Sequence, residues 1–417
     1  MGGCIRCSLW FTKNPTHIYK LLIMARTFSQ ISTDAYAAYN SARQSMIDYS
    51  LDNSSSDNFN QGHYYMNWTF QALLEMWQAT GDTSLFDDIK LVIDNLQSVT
   101  TTGPNGYQIW LTISDGYWQN TNPSNTNTYA PNGVHLYEAY GFRTVFQFLR
   151  IIHQSPILKA ANLSWWQAAL DWWTDNYWDK WEFYGAHYRR NAYMSSHGAR
   201  IGLDLYIITN EQKYLDQFEN VSFKGVPSGS TGAGNYIQKY FGPNAAVSGG
   251  TDFSDFDWIN FNTVFTTGTT IDYDHADDIF QMMAIAREEG YYWDTQVSIF
   301  DGIALSYESD LNTSNLDLHF YMNQTGNDDN YSASQGPTHF GRFDANFESF
   351  LEDNLTNAKM ISAGTPVREF PLGILLNNRK ILDDGRPVYP ENYTPFGITV
   401  PTLGFLEKGQ TGLFINC

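Results

Sequence analysis

The densest group of residues that could do chemistry lies in the segment YRRNAYMSSHGARIGLDLY, residues 188–206. His197 precedes Arg200 by three positions and Asp204 by seven, so on a helix the three side chains share one stripe. Small residues leave the backbone around the histidine accessible, as a substrate-approach surface requires: Ser195, Ser196, Gly198 and Ala199. The stripe therefore predicts a helix that faces a substrate, and the alternative is that His197 is a satisfied histidine of the core.

A second candidate is the segment NQGHYYMNW, residues 60–68. It places His63 and Asn67 four positions apart at the start of a helix, hence on one face. We assign both side chains to substrate binding. A capping or loop-packing role is the alternative for His63.

A glutamate among aromatic residues marks the third segment, VHLYEAYGFRTVFQFLR, residues 134–150. Glu138 lies near Arg143 in this segment. A glutamate in such surroundings can be a general acid with a raised pKa, but an ion pair with Arg143 or another arginine fits equally well. We assign Glu138 and Arg143 to substrate binding, and both interpretations of the glutamate stay open.

Two polar loops that run into helices form the fourth group, DYDHADD at 272–278 and QGPTHFGRFD at 335–344. In helical rings, such loops lie at the end where the cleft opens. We assign His275 and His339 to substrate binding, and note that His339 stands three residues before Arg342. A metal site in the acidic first loop is one interpretation, but its spacing fits neither a calcium loop nor a zinc signature, so we predict no metal.

Together these candidates supply His, Tyr, Arg and Asn rather than two isolated carboxylates. That set suits β-elimination of a uronate polymer. Arg, Asn or His must neutralise the sugar carboxylate so that the C5 proton becomes acidic. A His or an ionised Tyr then takes the proton, and a Tyr hydroxyl or a His imidazolium protonates the departing 4-oxygen. A tyrosine in this role needs a cation nearby to lower its pKa, which Arg342 or His197 could provide.

The elements that must position these residues are helices. Three stretches read as the same unit, a helix with an apolar face, a tight polar turn and a second helix: residues 67–96, 198–218 and 276–305. Repeated helical hairpins are typical of stacked or ring-shaped architectures. We predict an all-α fold, an (α/α) toroid whose long loops wall a cleft. Residues 29–417 would form this single domain, after an N-terminal extension at 1–28.

Helical periodicity predicts helices at about 30–49, 63–79, 84–97, 135–153, 165–175, 191–208, 211–219, 274–288, 294–307 and 341–355. The connections 100–133 and 220–272 are rich in Gly, Ser, Thr, Asn and Pro and are too long for simple turns, so they are the expected walls of the cleft. From about residue 366, repeated Pro and Gly predict an irregular wrap or a small sheet.

Composition excludes several functional classes. The net charge of −20 argues against a nucleic-acid partner, because phosphate binding needs a basic surface. No span approaches a membrane helix, and the first 25 residues lack the apolar run of a signal peptide. The chain has three cysteines, all near its ends, so no disulfide framework is expected. Aromatic residues make up 16% of the chain, enough for a large core and an aromatic-lined cleft.

The run SSHGARIGLDLYIIT, with HLYEAYGFRTVFQFLRII before it and DYDHADD and THFGRFD after it, resembles the helical-toroid polysaccharide lyases, most nearly polysaccharide lyase family 38. The resemblance covers roughly Ser29 to Leu355. It implies an (α/α)7 barrel, so among six or seven helix pairs we prefer seven. It also implies cleavage of β-1,4-linked alginate or glucuronan without an obligatory cofactor, outside the cell or in the periplasm.

The same resemblance implies the roles of individual residues. A tyrosine is the usual proton-transfer residue of these lyases, with His, Asn and Arg around the carboxylate. His197 and Arg200 match best, and Arg342 joins His197 as a catalytic candidate. We place the tyrosine at Tyr273, with Tyr331 as its rival.

Two other functions compete with this assignment. A glycoside hydrolase of (α/α)6 type would use Glu138 with Asp274, Asp277 or Asp278 as acid and base, and a neutral glycan would suit the acidic chain better. A glycan-binding protein without catalysis would need only the aromatic residues. That function leaves the concentration of His, Tyr and Arg unexplained. Oligomeric state does not follow from the sequence.

Overall fold

A computed structural model describes residues 26–52, 61–103, 105–110, 134–183, 192–224, 273–290, 299–314, 316–321, 325–328, 336–356, 358–359 and 369–394. This part of the chain is predominantly helical, as the periodicity predicts. Its α-helices are α1 (Phe28–Ser50), α2 (Gln61–Thr80), α3 (Thr83–Ser98), α4 (Val134–Gln154), α5 (Pro156–Trp173), α6 (Lys180–Phe183), α7 (Ala192–Thr209), α8 (Gln212–Glu219), α9 (Tyr273–Glu288), α10 (Ile299–Asp310), α11 (Ala345–Asn354) and α12 (Glu369–Asp384).

Shorter elements join these helices. Two π-helical turns, Thr174–Asp179 and Asn220–Lys224, follow α5 and α8, and a 3₁₀ helix spans Thr338–Phe343. Two small antiparallel pairs complete the described part, β1 (Thr101–Thr102) with β2 (Gln108–Ile109) and β3 (His319–Tyr321) with β4 (Thr325–Asp328). No helix among the described residues is long and apolar enough to cross a membrane.

Local sequence sets where several helices begin. Thr27 and Gln30 form a capping box at α1, in which each side chain accepts a hydrogen bond from the other's backbone N–H. Asp82, Ser155 and Asp344 cap the helices that follow them, and each accepts backbone N–H groups of the first turn. These caps satisfy donors that a helix start would otherwise leave unpaired, so the chain can turn sharply between helices.

Six elements pack side by side in a closed order. α2 packs against α4, α4 against α7, α7 against α9, α9 against the 3₁₀ helix, the 3₁₀ helix against α12, and α12 against α2. Other helices lie behind them: α1 and α3 pack on α2, α5 on α4, α8 on α7 and α11 on the 3₁₀ helix. We call the six elements of the closed order the inner elements.

The helices α4 and α12 approach α2 closely from its two sides. A Cβ atom on Gly141 of α4 would lie 2.9 Å from the backbone oxygen of His63, and one on Gly373 of α12 would lie 2.6 Å from that of Ala72. Real Cβ atoms do not come that close, so only glycine permits these backbone contacts. The close approach brings polar side chains of the three helices within reach of each other.

Connections differ in length at the two ends of the inner elements. The chain leaves α2, α4, α7 and the 3₁₀ helix by very short turns, at 81–82, 155, 210–211 and 344. It enters the inner elements after long segments, among them 111–133, 225–272 and 355–368. The long connecting segments therefore lie at the N-terminal ends of the inner elements, where loops could wall a cleft.

The C-terminal ends of α2 and α4 are covered by the segment after α12. The Val388 N–H donates to the backbone oxygen of Gln78 at 2.7 Å, and Tyr389 stacks on Trp77 with ring centroids 5.5 Å apart. Asn392 donates to the backbone oxygen of Gln154 at 3.0 Å.

The helix predictions are largely confirmed, with three corrections. The irregular wrap expected from about residue 366 is wrong for Glu369–Asp384, because α12 is a 16-residue helix that completes the closed order, whereas the described residues after it, 385–394, are irregular. The helix expected at 341–355 divides into the 3₁₀ helix and α11, since Asp344 is extended and caps a new start. The helix expected at 165–175 begins earlier, at Pro156. Most of the two predicted wall loops and the proposed extension 1–28 lie outside the described residues.

Candidate functional site

The interior between the inner elements is polar, which is unusual for a helical core. Buried polar side chains repeat at helical spacing along α2, α4, α7 and α9 and form three layers from the N-terminal ends inward. The site layer contains Asn67, Arg143, His197 and Asp278. The amide layer contains Gln71, Gln147, Arg200 and Gln281, and the carboxylate layer contains Glu75, Glu288, His339 and Arg342.

Arg143 connects two members of the site layer. Its Nη1 donates to Asp278 Oδ1 at 2.5 Å and lies 3.1 Å from His197 Nδ1. His197 Nε2 lies 3.5 Å from Asp278 Oδ2. Because a guanidinium can only donate, the Nδ1 atom accepts and the imidazole proton is on Nε2, which faces the carboxylate. The contacts therefore favour a neutral His197 whose Nδ1 lone pair is aligned by Arg143.

The guanidinium of Arg143 has a further partner and one unused donor. The Asn67 amide orientation that satisfies both of its ends has Oδ1 accepting from Arg143 Nη2 at 3.2 Å and Nδ2 donating to the backbone oxygen of Tyr140 at 2.7 Å. Arg143 Nε is buried and has no hydrogen-bond partner among the described residues. Burial alone would lower the pKa of Arg143, but Asp278 outweighs it and raises that pKa. Arg143 is thus a permanent cation with a donor left for an anionic ligand.

Tyr140 completes the surroundings of His197. Its ring meets the imidazole edge-to-face at 5.4 Å, and the guanidinium carbon of Arg143 lies 4.4 Å from the centroid of the same ring. Tyr193 meets His197 from another direction, at 6.4 Å. Burial and the charge of Asp278 raise the pKa of Tyr140 well above 10, so its phenol keeps its proton at neutral pH.

The amide layer lies beneath this group. Arg200 donates to Gln281 Oε1 and to Gln71 Oε1, each at 2.9 Å, and also to Gln147. Burial and the nearby Arg143 lower the pKa of Arg200 to about 9. Arg200 is therefore an inward cation held by neutral amides, and it lies below the site layer rather than in it.

The carboxylate layer is deeper and internally satisfied. Arg342 donates to Glu75 at 2.9 Å, to Asn378 at 2.9 Å and to Glu288, so each of its nitrogens has a partner. His339 Nε2 lies 3.3 Å from Glu75, and burial lowers the pKa of His339 to about 4. Burial would raise the pKa of Glu75, but Arg342 and His339 outweigh it and hold that pKa well below its usual range. The structure thus gives Arg342 and His339 a common partner two helical turns below Asn67, apart from His197.

Glu138 and His63 lie in a different cluster, between α4 and the helices behind it. Lys180 Nζ and Trp181 Nε1 donate to Glu138 Oε2 at 2.8 and 2.7 Å. Burial raises the pKa of Glu138 and Lys180 opposes that rise. The ring of His63 lies 5.6 Å from that of Phe142, and burial lowers the pKa of His63 to about 3. Glu138 thus forms a buried ion pair, but with Lys180 rather than with Arg143 or another arginine, and His63 packs against aromatic rings.

Three candidates remain, and only one of their side chains is described. Tyr273 is fully buried and packs edge-to-face on Tyr307, with centroids 6.0 Å apart. The backbone of His275 belongs to α9, but its side chain is outside what the structure describes, and Tyr331 lies wholly outside the described residues. Among the side chains that are described, no group of three or more His, Cys, Asp or Glu could hold a metal ion.

Of the predicted residues, the structure therefore brings together His197, Arg143 and Asn67. It adds Asp278, considered only for a hydrolase or a metal, and Tyr140, which sequence reasoning missed. One signal could have identified the polar interior: Asn67, Gln71, Glu75 and Gln78 recur at intervals of four, four and three in an otherwise apolar helix. The matching series on α4 is Arg143, Gln147 and Arg150.

No family model matches this chain, and no curated protein and no solved structure is similar to it at a significant level.

Proposed function

We propose that this protein is a polysaccharide lyase that cleaves a β-1,4-linked uronate polymer, alginate or glucuronan, by β-elimination. The observation that carries the proposal is the contact of Arg143 with both His197 and Asp278, next to the protonated phenol of Tyr140. It combines a carboxylate-binding cation, a neutral proton acceptor and a proton donor in one buried group. Elimination needs these three functions.

The residues would act as follows. The sugar carboxylate binds the unused Nε edge of Arg143, whose guanidinium is oriented by the Asn67 amide oxygen, and this contact stabilises the negative charge that develops when the C5 proton leaves. His197 Nδ1 accepts that proton once the substrate draws Arg143 toward itself, and Asp278 stabilises the resulting imidazolium. The C5 electron pair forms the C4–C5 double bond while the C4–O4 bond breaks. Tyr140 donates its proton to O4. Afterwards solvent water takes the proton from the His197 imidazolium and protonates the Tyr140 phenolate.

A toroid of helix pairs supports this function and is part of the proposal. The closed order of inner elements, with other helices behind four of them, fits an (α/α) toroid. It favours six pairs over the seven that the family resemblance implies. Its N-terminal end would carry the cleft, since the long connections enter there. The polymer substrate suggests that the protein acts in the periplasm or after secretion.

A direct test is incubation of the protein with alginate, glucuronan and a neutral β-glucan in separate reactions. Ultraviolet absorbance of the 4,5-unsaturated product and new reducing ends are measured in parallel. Elimination gives both signals on a uronate polymer. Reducing ends without the unsaturated product would instead identify a hydrolase and refute the lyase.

Two variants test the residue roles. His197→Ala and Tyr140→Phe should each lower kcat by at least about 100-fold, the usual contribution of one acid or base. Tyr177→Phe is the matched control, because Tyr177 is also a fully buried tyrosine but packs on Phe142 and Phe146. Full activity of Tyr140→Phe would remove Tyr140 from the mechanism.

A further inference from the structure

A row of aromatic rings runs from His197 to the protein surface. Tyr140 contacts His197, and Tyr64 stacks on Tyr140 with centroids 4.5 Å apart and planes at 24°. Tyr65 lies 5.8 Å from Tyr64, and Tyr49, at the end of α1, lies 6.3 Å from Tyr65. The row is thus continuous with the candidate site.

Exposure increases along this row. Tyr140 is 4% exposed, whereas Tyr65 and Tyr49 are 44% and 38% exposed. Trp68 flanks the row, with its ring 5.8 Å from that of Tyr64 and 6.0 Å from that of Tyr65. Single exposed aromatic residues are ordinary on a protein surface, but adjacent ones that lead into a buried polar site are typical of a ligand-binding surface.

A sugar chain matches the chemistry of this surface. A pyranose ring has an apolar C–H face and hydroxyl groups at its edge, and a tyrosine has an apolar face and a hydroxyl at its tip. The row also lies at the N-terminal ends of α2 and α4, the end at which the long connections enter. A polymer whose cleaved unit lies at His197 must continue past this end.

We propose that Tyr49, Tyr64 and Tyr65 bind successive sugar units of the polymer next to the unit held at His197. The inference deepens the proposed function and rests on it for the substrate class. It makes the protein a polymer-binding enzyme, in which affinity increases with the number of sugar units that reach the tyrosines.

The test compares Tyr65→Ala and Tyr49→Ala with the wild type. Tyr206→Ala is the matched control, because Tyr206 is a partly exposed tyrosine in the C-terminal half of α7, away from the row. Retardation in gels that contain alginate, glucuronan or a neutral β-glucan gives the affinity for each polymer. Loss of one stacking partner should weaken binding by about 3- to 10-fold, and KM should rise by the same factor with kcat unchanged.

The outcomes separate this inference from the proposed function. Polymer binding by both alanine variants that equals the wild type, or no glycan binding by the wild type, overturns the aromatic surface. A uronate polymer that is cleaved but bound equally by the variants keeps the lyase and removes the surface. Retardation by a neutral β-glucan that is lost in Tyr65→Ala, without uronate cleavage, keeps the surface and refutes the lyase.

Discussion

Glu348 on α11 offers a quantitative test of the buried polar network. It is fully buried, and its Oε2 accepts a hydrogen bond from Asn378 at 2.7 Å. Burial and then the neighbouring Glu352 raise the pKa of Glu348 well above its ordinary value. A Cβ on Gly341 would lie 1.8 Å from Oε2, so the carboxyl group fills the space beside a glycine. Glu348→Gln replaces a protonated carboxyl by a neutral amide of the same shape.

The sign and size of the effect follow from proton linkage. In the unfolded chain Glu348 loses its proton near pH 4.3, but in the folded protein it keeps the proton to a higher pH. Between the two pKa values the folded state binds one more proton than the unfolded chain. The contribution of Glu348 to stability therefore decreases as pH rises, by about 1.4 kcal/mol per pH unit. The glutamine variant has no such proton. The variant should therefore gain stability relative to the wild type as pH rises above about 5, by up to about 1.4 kcal/mol per pH unit until the pKa of the folded state is reached.

Urea unfolding of both proteins at about pH 5 and about pH 7 measures this difference. Glu75→Gln is the matched control, because Glu75 is also a fully buried glutamate, but its pKa is held low by Arg342 and His339 despite burial. Removal of that charge leaves Arg342 short of a partner and should cost about 3 to 5 kcal/mol at neutral pH. An identical pH dependence of stability in the wild type and Glu348→Gln would refute the protonated state of Glu348.

Two further predictions concern the site layer. Asp278→Asn and Arg143→Gln each leave a buried partner uncompensated and should destabilise the fold by about 3 to 5 kcal/mol. The double variant should lose clearly less than the sum of the two losses. Additive losses in urea unfolding would show that the pair is not coupled. Gly141→Ala puts a Cβ against the His63 backbone and should lower the free energy of unfolding by about 1 to 3 kcal/mol. It should also lower kcat, because α4 carries Arg143. An unchanged melting temperature would contradict the close approach of α2 and α4.

Helices were predictable from sequence because their signals are local. Apolar periodicity and caps such as Asp82 depend on neighbouring residues, and most helix ends lie within a few residues of the predictions. The exception is α5, which begins at Pro156 behind the cap Ser155 rather than at about 165. The helix α12 was missed for a related reason. The Pro and Gly residues of its sequence, Pro371 and Gly373, lie in its first turn and at a close contact with α2, where they are compatible with a helix.

The site was only partly predictable, because its members come from different helices. His197, Arg200 and Asp204 do share a helix, as their spacing predicts, but their side chains have different partners. His197 belongs with Arg143 and Asp278, while Asp204 pairs with Arg150 at 2.6 Å. Spacing within one helix gives the direction of a side chain, whereas its partner depends on which helix lies opposite. That choice is made by tertiary packing.

The acidity of the chain and an anionic substrate can be reconciled through the four buried arginines. Three of them form ion pairs that more than offset their charges: Arg143 with Asp278, Arg150 with Asp204 and Glu289, and Arg342 with Glu75 and Glu288. Arg200 instead donates to the amide oxygens of three glutamines, and Asp204 and Glu75 act on it only at longer range. The charge of Arg200 adds to that of Arg143 and favours an anion just above the amide layer. A net charge of −20 describes the protein as a whole, while Arg200, the cation in the layer below His197, is held by amide oxygens and has no carboxylate in direct contact among the described residues.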